Sequence, residues 1–185
     1  MDLMEAGQSE LLIRAMELSP PDIIVHVVGG SQGMTDPLGS SELYGKVWRL
    51  NLGIAIDINS AFIPKMQRNG WGRIVHLSSN ATRIGTGYCP YTSAKAALEG
   101  YVKMISKEFS KDGVIITAVA PGIVHTPGRY YASLDSKEQE AYFQKYLPIQ
   151  RFGRAEEVSK LVAYLSSDHA TYMAGSIVSI DGGAR

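Results

Sequence analysis

Asp22-Ile23-Ile24-Val25-His26-Val27-Val28-Gly29-Gly30 is the run whose reading decides the fold. Its β-branched residues are apolar on both faces of an extended chain and it closes in glycines, the pattern of a strand in the middle of a parallel sheet. Ahead of it, Leu11, Leu12, Ala15, Met16 and Leu18 recur at helical spacing within Ser9 to Leu18, and Ser19-Pro20-Pro21 ends that helix. Behind it the cycle repeats. A helical stretch from about Ser41 to Arg68 precedes the strand Gly72 to Ser79, with Asn69-Gly70 as turn signal. Pro64 inside that stretch is predicted to kink the helix or split it in two. A helix from about Pro90 to Ser110 then precedes the strand Val114 to Ala120, closed by Pro121-Gly122. Helical patches around Ser136 to Tyr146 and Glu156 to Ser166 lead to a last strand, Ser176 to Ile180. Helices alternating with buried strands predict an α/β layered fold with right-handed crossovers.

The 185 residues, 45% hydrophobic, suit one domain spanning 1–185. Eighteen Lys and Arg balance eighteen Asp and Glu, so neither a nucleic-acid surface nor an anionic-membrane helix is supported, and small neutral partners are expected. No stretch of some eighteen apolar residues suggests a membrane span. The first residues do not resemble a signal peptide, so the expected location is cytoplasmic. The single cysteine, Cys89, fits a reducing compartment and has no nearby histidine to activate it. The connection from Thr126 to Gln150, 126–150, is polar and aromatic, with Pro127, Gly128, Tyr130 and Tyr131. Connections of that length are usually lids or binding loops.

The chemistry concentrates in Tyr91-Thr92-Ser93-Ala94-Lys95, at the start of a helix. A spacing of four puts phenol and ammonium on one face. A nearby cation favours phenolate, so Lys95 is expected to lower the Tyr91 pKa and let it exchange a proton near neutrality. Alone, such a pair is common on helix surfaces. Its weight comes from Ser78-Ser79 at the carboxyl end of the preceding buried strand, where open α/β sheets bind ligands. A hydroxyl there can face Tyr91 across a carbonyl and hydrogen-bond its oxygen. His76 and His125 are each isolated in sequence, which favours structural roles, and no metal cluster is visible.

Asn51 in a helix, Ser-Ser ending a strand, Tyr-x-x-x-Lys, Pro121-Gly122 and the terminal Asp181-Gly182-Gly183 together resemble the short-chain dehydrogenase/reductase family, from about Pro21 to Arg185. The resemblance implies a Rossmann-like doubly wound parallel sheet, and a reaction in which NAD or NADP exchanges hydride with a carbonyl or secondary alcohol. It implies that Tyr91 is the acid/base and that Lys95 tunes it and holds the nicotinamide ribose. Ser79 would polarise the carbonyl, and Asn51 would position a water in a relay through Lys95. Ser78 matches the family by count and Ser79 by strand position; Ser79 is favoured, since loop length varies more readily than a strand end. Pro121, Gly122, Ile123 and Thr126 resemble the segment that receives the carboxamide, Ile123 by its backbone and Thr126 by its hydroxyl. Association into a homo-oligomer is expected on family grounds.

Two departures bear on the cofactor. The family's glycine-rich turn between first strand and first helix, which binds the pyrophosphate, has no counterpart here. The expectation is therefore an incomplete sheet lacking the first βαβαβ portion, with weak or no cofactor binding. His26-Val27-Val28-Gly29 stands where the family has Asn-Asn-Ala-Gly; only Gly29 matches, and it is expected to allow close approach of the adenosine side of a cofactor. Without a preceding strand, the edge of Ile23 to Val28 is expected to be covered by another chain or by the N-terminal segment. The competing function is a cofactor-free remnant or a non-catalytic binding subunit. A serine hydrolase ranks last, for want of a Gly-x-Ser-x-Gly elbow.

Overall fold

The structure is a computed structural model and describes residues 2–5, 7–127 and 130–184. Gly128 of the expected lid segment and Arg185 lie outside the described residues. In chain order the elements are α1 (Gln8–Ala15), β1 (Ile23–His26), α2 (Ser41–Trp48), a wide π-helical turn (Arg49–Gly53) and α3 (Ile54–Asn69). There follow β2 (Gly72–Leu77), α4 (Ala81–Ile84), α5 (Cys89–Phe109), β3 (Val114–Pro121), α6 (Tyr130–Ser133), α7 (Ser136–Tyr146), α8 (Ala155–Leu165) and β4 (Ile177–Ile180). The four strands make one parallel sheet in the order β1-β2-β3-β4.

Strand periodicity divides the core. Ile24, Ile74 and Ile116 pair across the sheet and pack with Phe62 and Met66 of α3 and Leu98 and Val102 of α5, while Ile13 and Met16 close this layer from the N-terminal side. On the opposite face Val75 and Val119 meet Leu165 of α8. Helices thus cover both faces of β2 and β3, and all four strands end on one side of the sheet.

Three expectations need correction. The helical stretch expected from Ser41 to Arg68 is interrupted at Asn51 rather than at Pro64. The Asn51 amide donates to Val47 O at 2.9 Å and Gly30 O at 2.8 Å, so a side chain takes a carbonyl that the helix would otherwise use. Pro64 is tolerated because the carbonyl it leaves unbonded belongs to the exposed Ser60. The central-strand pattern of β1 gives way to the edge position that the missing preceding strand implied. β1 pairs with β2 alone among the described residues, and Ile23, Val25 and Val27 are 46%, 39% and 69% exposed on the face that no helix covers. Nor does the N-terminal segment cover that edge: α1 packs against α3.

Candidate active site

Parallel strands deliver their ends to one rim, and the groups of interest gather there. A cavity of about 560 Å³ opens between the loops after β2 and β3, the start of α5 and one face of α7. That volume is in the usual range for a small-molecule site. Its wall includes Ser79, Tyr91, Gly122, Ile123, Tyr142 and Tyr146.

The two serines separate cleanly. Ser78 is buried, and its hydroxyl donates to Glu99 Oε1 at 2.7 Å, which also accepts the Thr82 hydroxyl at 2.9 Å. Ser79 faces the cavity, accepts the Ala81 N–H at 3.3 Å and is hydrogen-bonded through its side chain to Tyr91. Tyr91 sits in the first turn of α5, which Tyr88 enters in extended conformation and Pro90 pre-organises.

Lys95, one turn further, is 3% exposed. Its ammonium lies 5.8 Å from the Tyr91 ring centroid and donates to Leu77 O at 2.6 Å. Burial brings that ammonium down to about 8. Burial also pushes the Tyr91 phenol up, and the Ser79 hydrogen bond offsets only part of this. The net direction for Tyr91 is thus upward, set by desolvation, while the Lys95 ammonium is directed at a backbone carbonyl. At neutral pH Tyr91 is a phenol, ready to give a proton.

Asn51 is buried in the π-helical turn, a geometry frequent at functional sites. It grips the backbone of Gly30 twice, accepting its N–H at 3.1 Å and donating to its carbonyl. Gly29 lies at the same close approach. A Cβ placed there would come within 2.7 Å of Asn51 Oδ1 and 3.0 Å of Lys95 Nζ, so this glycine also admits the side chains of the site itself.

Pro121 ends β3 and its carbonyl accepts the Asn80 N–H at 2.9 Å, tying the two rim loops together. Gly122 packs so closely on Asp181 that a Cβ would stand 2.8 Å from its Cα. Gly122 and Ile123 reach the cavity; Thr126 is exposed, outside the cavity wall, with its hydroxyl 3.4 Å from Val124 O. The residue reading singled out the aromatic connection 126–150 but not the two tyrosines that line the cavity from α7. The rings of Tyr142 and Tyr146 of α7 lie 4.8 Å apart at a tilt of 44°, with Tyr131 5.3 Å from Tyr142. Their spacing of four gives one helical face, but only tertiary packing against Phe152 shows where that face points.

The Tyr91 phenol and the Gly122-Ile123 backbone on the cavity wall fit the nicotinamide-ribose half of a dinucleotide, hydroxyl partner on one side and amide partners on the other, with the Lys95 ammonium buried behind Tyr91.

Comparisons with known proteins bear on the family and the fold. A family model described as Enoyl-(Acyl carrier protein) reductase matches residues 4–185. The 3-oxoacyl-[acyl-carrier-protein] reductase of Rickettsia felis is 34% identical over 176 residues, covering 95% of this chain and 70% of that protein. Nodulation protein G of Azospirillum brasilense is 31% identical over 168 residues, covering 90% of this chain and 67% of that protein. A solved structure of 3-oxoacyl (acyl-carrier-protein) reductase from Agrobacterium tumefaciens C58 with NADP bound superposes with a TM-score of 0.89 at 28% identity, over 98% of this chain and 72% of that one. The chain thus spans roughly 70% of the length of these relatives.

Proposed function

The chain belongs to the short-chain dehydrogenase/reductase family, and from that premise we propose that it is an NAD(P)-dependent oxidoreductase interconverting a carbonyl and a secondary alcohol, with Tyr91 as the acid/base. The observation that carries this reading is the convergence of the Tyr91 phenol and the Ser79 hydroxyl on one cavity, with Lys95 buried behind them. Bound NAD(P)H would supply hydride to the carbonyl carbon.

The chain's own residues do the rest. Ser79 donates a hydrogen bond to the carbonyl oxygen and holds it beside Tyr91. Tyr91, kept protonated by burial, transfers its proton to that oxygen as charge develops there. The phenolate left behind faces the Lys95 ammonium, whose attraction limits the charge build-up that burial would otherwise oppose. In the direction of alcohol oxidation the phenolate is the base, so that direction gains with rising pH. Lys95 and Tyr91 would hold the ribose hydroxyls; Gly122 and Ile123 would receive the carboxamide. Asn51 fixes the Gly30 turn at the cavity mouth. The tyrosines of α7 exclude water from one wall and select substrates with an apolar portion.

Titration with NADH and with NADPH, followed by the fluorescence of Trp48 and Trp71 or of the cofactor, tests the reading. Saturable binding of at least one is expected. No binding of either up to millimolar concentration would favour the non-catalytic alternative instead.

A further inference from the structure

Near Lys95 lies a histidine pair, His76 buried and His26 half-buried, that the chemistry above leaves unused. His26 of β1 and His76 of β2 stand side by side, ring centroids 4.5 Å apart and within 16° of parallel. The carboxamide of Asn59, from α3, spans them. Its oxygen is 2.9 Å from His26 Nε2, and its nitrogen is 3.4 Å from His76 Nε2 while donating to the Tyr101 hydroxyl at 3.1 Å. The orientation of the Asn59 amide favours one tautomer of His76. A ring nitrogen facing an amide N–H must accept, so His76 Nε2 is unprotonated and the neutral ring carries its proton on Nδ1. That N–H is fully buried and has no partner among the described residues. An unpaired buried donor is destabilising unless something accepts from it.

The surroundings supply an acceptor site. His76 lines a cavity of about 10 Å³, bounded also by His26, Asn51 and Leu77, which is close to the least space that holds one water. Across it, Asn51 Oδ1 accepts the Gly30 N–H at 3.1 Å and has a second lone pair. Asn51 Oδ1 and Lys95 Nζ in turn crowd the same point above Gly29, so a rotated Asn51 amide is felt at the ammonium.

We propose that one water in this cavity accepts the His76 Nδ1–H and donates to Asn51 Oδ1, making His76 a positioning residue for Asn51 and, through it, for the Lys95 end of the site. The role of Lys95 and Asn51 in turnover rests on the oxidoreductase reading; the water and the tautomer do not. The arrangement needs His76 neutral, because an added proton on Nε2 would set N–H against the Asn59 N–H. The groups facing His76 keep it so. These are His26 from β1, Tyr101 and Lys95 from α5, and Asn59 from α3, with burial the largest influence.

Paired substitutions test the proposal. The Asn side chain in His76→Asn places an N–H where Nδ1 was, whereas His76→Leu fills similar space with no donor. His76→Leu is expected to lower kcat about tenfold, the effect of losing one buried hydrogen bond, and His76→Asn to restore it to within about threefold at unchanged far-UV circular dichroism. Equal losses in the two variants, or no loss in His76→Leu, would overturn it. Nitrogen-15 NMR of histidine side chains in the unsubstituted protein decides independently of turnover. A neutral, Nδ1-protonated His76 at neutral pH is expected; an Nε2-protonated or doubly protonated ring overturns the proposal even if the enzyme is active. Should the expected tautomer be found in a protein that shows no turnover, the oxidoreductase reading falls and the hydrated histidine pair stands.

Discussion

Ser78 and Ser79 are chemically identical neighbours whose surroundings give them different work. Successive side chains at a strand end point to opposite sides, so only one of the two could face the cavity. Residue counting points to Ser78 and the strand end to Ser79; the part-buried contact of Ser78 with Glu99 of α5 turns the first of them away from the cavity. Ser79→Ala is expected to reduce turnover about 100-fold, the scale for losing one hydrogen-bond donor to a developing oxyanion, with the melting temperature unchanged. Ser78→Ala should do the reverse: it leaves Glu99 short of one partner and lowers stability by roughly 1–2 kcal/mol, read by urea denaturation, with a smaller effect on turnover. Lys95 carries a pH signature. Its folded-state value of about 8 lies below the ordinary 10.5, so between these the unfolded chain binds the extra proton and stability rises with pH, by at most about 3 kcal/mol. Below about pH 8 both states are charged and the burial penalty is fully present. Lys95→Met should abolish that rise; a rise of the same size in the variant would assign it elsewhere.

Among the elements, helices announce themselves by period and caps. Asp135 and Glu138 form a reciprocal capping box that starts α7 where the sequence places it, and Gly70, at φ 67°, closes α3 after the Asn69-Gly70 signal. The π-helical turn does not announce itself, because Arg49–Gly53 keeps helical composition and what widens it is a tertiary bond from Asn51 to the Gly30 loop. Gly29 belongs to the same knot. Gly29→Ala is expected to push Asn51 and Lys95 apart and to lower kcat by about tenfold or more, since a misplacement near 1 Å can cost that much. Unchanged kcat in this variant would mean that the close approach is not needed.

For the molecule as a whole, the alternation of buried strands and helices was enough to read a parallel α/β sheet. A run of Ile and Val looks the same whether its faces are covered or open; the edge position of β1 followed instead from the absent preceding strand, and the exposure of Ile23, Val25 and Val27 shows that none of the described residues covers it. Such an edge favours association, while the active rim lies at the strand ends. The central claim is that Tyr91 moves the proton there. It is tested most directly by following NADPH or NADH oxidation with a panel of small ketones and aldehydes, comparing the unsubstituted protein with Tyr91→Phe. The account predicts turnover in the first and a loss of at least about 1,000-fold in the second, in line with the contribution of a positioned general acid, at equal thermal stability. Turnover that survives in Tyr91→Phe would contradict it.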